Sequence, residues 1–202
     1  YCWFLPLSLS VCPQLTGVIN DPGHHCVISM LAFFEEPKPC LVTPFVAGGS
    51  LKQYVRAAER FNFSSAAILA SGVSDGLAYL HSKGVVHRDM KSSNVLVDDS
   101  GCPVIIDFGL SCMDCTEGKT AFRVQRLLGT PPYMAPELTV RSEEGKGVCP
   151  FKADIYAVGI ILWELCSKMK VPYTQADWDA FYEEDDGFVK GPGRPERALV
   201  VD

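Results

Sequence analysis

The stretch from Ala153 to Cys166 (ADIYAVGIILWELC) is the strongest constraint on folding, because it has helical length and is apolar on nearly every side. Such a helix must be enclosed by other elements, so the pattern predicts a buried central helix with a domain built around it. The chain can supply that cover: 202 residues, 48% of them hydrophobic, suffice for one real core and argue against general disorder. Eighteen Lys and Arg stand against 24 Asp and Glu, a net charge of −6. With no basic cluster either, nucleic acid is not an expected partner. Nine cysteines, an odd number widely scattered, sit in a chain too long to need disulfide staples. They read as reduced thiols of a cytoplasmic protein.

The remaining elements follow from spacing and turn chemistry. Tyr1 to Pro13 has no basic n-region and is broken by Pro6, so it is neither a signal peptide nor a membrane span. Residues 1–23 are expected to be an atypical, poorly ordered N-terminal segment, and 24–202 the domain. Val27 to Phe34 and Cys40 to Thr43 read as two strands joined by a turn. Ser50 is placed to cap a helix carrying Leu51, Tyr54, Val55 and Ala58 on one face. From a Ser64 cap, Ile68, Leu69, Val73, Leu77 and Leu80 recur at helical spacing until Lys83-Gly84 stops the helix. Val95 to Val97 and Val104 to Ile106 bracket the turn Asp98-Asp99-Ser100-Gly101 as a hairpin. An acidic run, Asp177 to Asp186, reads as a solvated loop before a Gly- and Pro-rich tail.

The chemistry is concentrated in HRDMKSSNVL at 87–96, DFG at 107–109 and APE at 135–137. In this order and spacing the three segments resemble the catalytic half of the eukaryotic protein kinase family. The resemblance implies an α+β, protein-kinase-like fold: mainly the helical C-terminal lobe, with the hinge and two strands of the N-terminal lobe. It also implies a protein serine/threonine kinase that transfers the ATP γ-phosphate to Ser/Thr hydroxyls of a protein substrate, with ATP and Mg²⁺ as cofactors. The residue types suit that reaction, which needs a carboxylate to orient the attacking hydroxyl and cations to neutralise phosphate oxygens. Asp89 fits the first role, and Lys91 can reach the transferring phosphate as a point charge. Asn94 and Asp107 offer the hard oxygens that Mg²⁺ prefers, brought to one mouth by the hairpin between them.

Other positions take their roles from the resemblance alone. Thr130, in GTPPYMAPE, is similar to the residue that bridges the catalytic Asp and Lys in Ser/Thr kinases. Leu41 to Val46 resembles the hinge: Thr43 is the gatekeeper, Pro44 and Val46 meet the adenine edge, and Leu96 floors the slot. Pro44 stands where Glu is usual, yet only the backbone carbonyl is needed there, and proline retains it. Arg88 is similar to the Arg that pairs with a phosphorylated activation segment, for which Thr116 or Thr120 are the favoured acceptors and simple loop threonines the alternative. His87 and Phe108 are expected to pack in the core. Asp154 is expected to hold the catalytic-loop backbone. Gly109 and Glu137 complete the structural set, with Glu137 expected to be buried and in need of a partner such as Arg194 or Arg197. Cys112-Met113-Asp114-Cys115 is a lone CxxC, read as ordinary loop thiols because a metal site needs about four ligands.

KSSNVLVDDSG and ADIYAVGIILWEL are similar to the tyrosine-kinase-like group of Ser/Thr kinases. Cys102, the insert from Leu138 to Pro150 and the late Gly-Arg-Pro resemble receptor kinases of the transforming-growth-factor type. The uninterrupted run from Tyr79 to His87 does not, and plant-type receptor-like, Pelle-like and Raf-like kinases stay open. No GxGxxG occurs, no Lys has a Val-Ala-Ile-Lys context, and residues 1–20 carry no charge. The chain therefore reads as a partial kinase domain, without the Gly-rich loop, strand Lys, helix Glu or final C-terminal helices. It is expected to bind ATP poorly and turn over slowly. A non-catalytic kinase-fold interaction module is the alternative.

Overall fold

A computed structural model describes residues 2–3, 23–34, 40–113, 129–138 and 149–170. Three short strands, β1 (Cys2–Trp3), β2 (Ala32–Phe34) and β3 (Cys40–Val42), form an antiparallel sheet in the order β1-β3-β2. Cys2 pairs with Val42, and Phe33 with Leu41. The two expected strands are present but shorter. Val27 instead makes an isolated parallel bridge to Ile105. Of residues 1–23, Cys2 and Trp3 join this sheet, and residues 1 and 4–22 lie outside the described residues.

Helix α1 (Leu51–Ala57) starts at Ser50, whose hydroxyl accepts from the Gln53 N–H while Gln53 Oε1 accepts from the Ser50 N–H. This reciprocal capping box satisfies two donors that the first turn leaves orphaned. Helix α2 (Phe63–Ser82) starts earlier than the pattern suggested, because Asn62 and not Ser64 is the cap; its Oδ1 accepts from the Ser65 N–H at 3.0 Å. Asn ranks with Ser as a cap, so residue type does not favour Ser64 over Asn62. Leu69, Val73, Leu77 and Leu80 are buried as expected, but Ile68 is 67% exposed.

Beyond α2 come β4 (Val85–Val86), a 3₁₀ turn at Ser92–Asn94, β5 (Val95–Val97), β6 (Pro103–Ile105) and β7 (Cys112–Met113). β5 and β6 form the expected hairpin, its tip tied by Asp98 Oδ1, which accepts from the Ser100 and Cys102 N–H groups. β4 pairs with β7, joining the entry and exit of the loops that carry the motifs. Gly76 lets this layer approach α2: a Cβ there would meet the Cys26 carbonyl oxygen at 2.8 Å and Ile105 Cδ1 at 3.0 Å.

The central helix α3 (Pro150–Cys166) begins with proline at its first position, where the missing N–H costs nothing. It buries Ala157, Val158, Ile160, Ile161 and Leu165, together with the polar Asp154 and Glu164. It is not enclosed on all sides, since Ile155 is 58% exposed. The buried side packs with α2, β4 and the hairpin in one core that includes Leu80, Val85, Met90, Val95 and Phe108.

Candidate functional site

The loop after β4 is held from below by Asp154. This buried carboxylate accepts the His87 N–H through Oδ2 and the Arg88 N–H through Oδ1, both at 2.8 Å. His81 Nε2 lies 3.0 Å from Asp154 Oδ2, a third contact that the sequence did not suggest. Arg88 has φ 64°, a left-handed conformation unusual for a residue with a Cβ, and the carboxylate below it fixes that backbone. His87 is fully buried, with Nε2 3.0 Å from the Ile106 carbonyl oxygen and its ring 5.3 Å from that of Phe108. Both residues are core, as expected.

The loop then projects a cluster of polar tips. Lys91 Nζ donates to Asp89 Oδ2 at 2.6 Å and to Thr130 Oγ1 at 2.9 Å, while the Thr130 hydroxyl donates to Asp89 Oδ1 at 2.7 Å. Asn94 Nδ2 donates to the Asp89 carbonyl oxygen at 2.9 Å and to Asp89 Oδ2 at 3.1 Å. That orientation turns the amide oxygen of Asn94 away from Asp89. Four residues drawn from two loops thus share one small ring of hydrogen bonds, with Asp89 at its centre.

Asp107 enters through the hairpin. The Ile106 N–H donates to the Asn94 carbonyl oxygen at 2.9 Å, so the residue before Asp107 is tied to Asn94. Asp107 has φ 64°, and its Oδ1 accepts the Gly109 N–H at 3.2 Å. A Cβ at Gly109 would stand 3.2 Å from that oxygen, so a larger residue there would press on the Asp107 carboxylate. Asn94 and Asp107 are a hard, neutral-plus-anionic oxygen donor set, a chemistry that fits Mg²⁺.

The hinge-like segment lies beside β5. Gly48 donates to the Val97 carbonyl oxygen at 2.9 Å, and the Val97 N–H returns a bond to Gly49 at 3.0 Å. Leu96 faces Ser50 across an isolated bridge, Val46 packs on the core, Thr43 is half-buried and Pro44 is exposed. Arg88 Nε donates to the Leu110 carbonyl oxygen. Thr116, Thr120, Cys115, the acidic run, Arg194 and Arg197 lie outside the described residues. Glu137 is exposed, so the expected cost of an unpaired buried carboxylate does not arise.

One polar cluster escaped the sequence reading. The Tyr133 hydroxyl donates to the Glu164 carboxylate, with both oxygens at 2.9 Å, and lies 3.0 Å from Ser92 Oγ. Burial pushes the Glu164 carboxyl above the usual range against these hydrogen bonds, and burial with the nearby Glu164 charge pushes the Tyr133 phenol up as well. The only signal in the sequence is a lone Glu inside an apolar helix.

The protein kinase domain family matches residues 15–190, a span that begins inside the segment expected to precede the domain. The chain is 34% identical over 151 residues to the serine/threonine/tyrosine-protein kinase HT1 of Arabidopsis thaliana, covering 72% of this chain and 36% of that protein. It is 33% identical over 170 residues to the cAMP-dependent protein kinase catalytic subunit of Dictyostelium discoideum, covering 84% and 23%. Against the PR5-like receptor kinase of Arabidopsis thaliana the identity is 31% over 173 residues, covering 81% and 25%. The chain thus spans between 23% and 36% of the length of these relatives. With the family match spanning most of the chain, Asp89, Asn94 and Asp107 included, the chain belongs to the protein kinase family.

Proposed function

We propose that this chain carries the phosphoryl-transfer half of a serine/threonine kinase and, as 202 residues alone, turns over slowly. The observation that carries the reading is Thr130 Oγ1, which bonds both Asp89 Oδ1 and Lys91 Nζ and so brings a carboxylate and an ammonium to one point. Asp89 would orient a substrate Ser or Thr hydroxyl and accept its proton at a carboxylate oxygen. Lys91 would set its charge against the phosphoryl oxygens, and Asn94 and Asp107 would hold Mg²⁺. Bound Mg·ATP would supply the phosphoryl group and the cation that neutralises its oxygens. Thr43, the Pro44 carbonyl, Val46 and Leu96 would line the adenine slot.

A phosphate on Thr116 or Thr120 would give Arg88 an anionic partner and order the segment after Asp107. The sequence similarities favour the tyrosine-kinase-like group and a protein substrate. A purely non-catalytic interaction module has no chemical need for Asp89, Lys91, Asn94 and Asp107 together, which weighs against that alternative. The test is phosphate transfer from Mg·ATP to a generic Ser/Thr substrate by the wild-type chain and by Asp89→Asn. Rates far below the ordinary kinase range of about 1–100 s⁻¹ are expected, with the residual transfer lost in the variant. Ordinary rates would overturn the inactivity of the isolated chain, and residual transfer that survives Asp89→Asn would overturn the role of Asp89.

A further inference from the structure

Away from the phosphoryl-transfer cluster, two thiols far apart in sequence meet on the other side of the hairpin. Cys26 Sγ and Cys102 Sγ are 3.6 Å apart, and both are free thiols. Directly before Cys26 stand two imidazoles. The donor atoms of His24, His25 and Cys26 all lie within 4.8 Å of one another. The two rings are stacked at 4.5 Å, and His24 also stacks on Tyr79 at 5.2 Å, which fixes the pair against α2. The Cys26 backbone N–H donates to His24 Nδ1 at 3.2 Å, a bond that ligation through Nδ1 would replace.

We propose that His24, His25, Cys26 and Cys102 form a binding site for a borderline-soft divalent cation, with Zn²⁺ the best match. Two nitrogens and two sulfurs are a common ligand set for structural zinc. Zinc–sulfur bonds of about 2.3 Å at the tetrahedral angle put two sulfurs about 3.8 Å apart, close to the thiol separation found here. A disulfide needs sulfurs at about 2.05 Å, so the pair is not covalently bonded; the two thiols are in S–H···S contact at a distance that one ion could bridge. The imidazole donors already lie within 4.8 Å of Cys26 Sγ and of each other, and Cys102 joins them through its contact with Cys26. Asp75 and Asp98 add negative charge around Cys26, which favours a cation. Cys26 is fully buried and Cys102 half-buried, so the ion would enter from the Cys102 side.

The position gives the metal a structural consequence. Cys26 precedes the Val27–Ile105 bridge, and Cys102 ends the turn that feeds β6 and then Asp107. A bound ion would clasp the start of the domain to the strand that delivers Asp107. Nothing in this inference depends on the isolated chain turning over ATP.

The test is equilibrium dialysis of the reduced full chain against Zn²⁺ alone, followed by Co²⁺ substitution and thermal melting. Uptake of one ion per chain is expected, with thiolate-to-Co²⁺ charge-transfer and tetrahedral d–d bands and a raised Tm. Cys102→Ser and His25→Ala, both at accessible positions, should each weaken binding by about tenfold or more. Cys112→Ser with Cys115→Ser should leave it intact. No stoichiometric uptake, binding unchanged by Cys102→Ser, or binding lost only in the Cys112 and Cys115 variant would overturn the site. Loss of two hydrogens by mass from a Cys26–Cys102 disulfide under the same reducing conditions would overturn it too.

Discussion

One carboxylate, that of Asp154 on the central helix, accepts the backbone N–H groups of both His87 and Arg88 at 2.8 Å. The buried acid therefore acts on the candidate site through the main chain, holding the left-handed Arg88 just before Asp89. Asn at this position would keep one acceptor and turn an N–H₂ donor toward the second backbone N–H. Asp154→Asn is expected to lower stability by about 3 kcal/mol, the loss of charge-assisted bonds plus one unsatisfied donor. Urea unfolding checks this as a lowered midpoint at an unchanged slope. An unchanged midpoint would remove Asp154 from the role of loop anchor.

The Tyr133–Glu164 pair gives a pH prediction with a definite sign. Burial raises the Glu164 carboxyl, so the folded chain holds that proton more tightly than the unfolded chain. Its contribution is fully present below the ordinary Glu value and is lost as pH rises through the raised folded value. Glu164→Gln keeps an acceptor for the Tyr133 hydroxyl and removes the titration. The wild type should lose more stability than Glu164→Gln as pH rises above the ordinary Glu range, read from parallel urea melts. Equal slopes would show that Glu164 does not titrate abnormally.

Tyr133→Phe tests the same cluster from its other end. It removes the donor to a buried carboxylate and should cost about 1–3 kcal/mol at neutral pH. In the Glu164→Gln background the cost should be smaller, because the acceptor is then neutral. A double-mutant cycle with no coupling would contradict the pairing.

Two glycines on helices should respond to alanine in opposite directions. At Gly76 a Cβ meets the Cys26 carbonyl oxygen at 2.8 Å, so Gly76→Ala should destabilise by about 1–3 kcal/mol. At Gly159 nothing among the described residues lies within 4 Å, and Gly159→Ala should stabilise by up to about 1 kcal/mol through helix propensity. Thermal melts of the two variants check both signs.

What the sequence discloses depends on whether the information is local. The Ser50 cap, the β5–β6 hairpin and the body of α2 follow from spacing and turn residues within a few positions. Asp89, Lys91, Asn94, Asp107 and Thr130 are legible through motif resemblance, and the structure brings the first three and Thr130 into direct contact. Ile68 and Ile155 were misjudged because periodicity identifies apolar positions without revealing whether a partner surface reaches them. Cys26 with Cys102, and Ser92 with Tyr133 and Glu164, were not legible: each group comes from segments far apart in the chain, and no single segment shows an unusual pattern. Their signal is tertiary.

Asn94 and Asp107 are proposed to hold the divalent cation of a nucleotide beside Asp89 and Lys91. The most direct test is electron paramagnetic resonance of Mn²⁺, used in place of Mg²⁺, titrated with ATP into the wild-type chain, Asn94→Ala and Asp107→Asn. Weak, ATP-dependent Mn²⁺ binding that is lost in both variants is the predicted result. ATP-dependent binding of equal strength in all three chains would contradict the account.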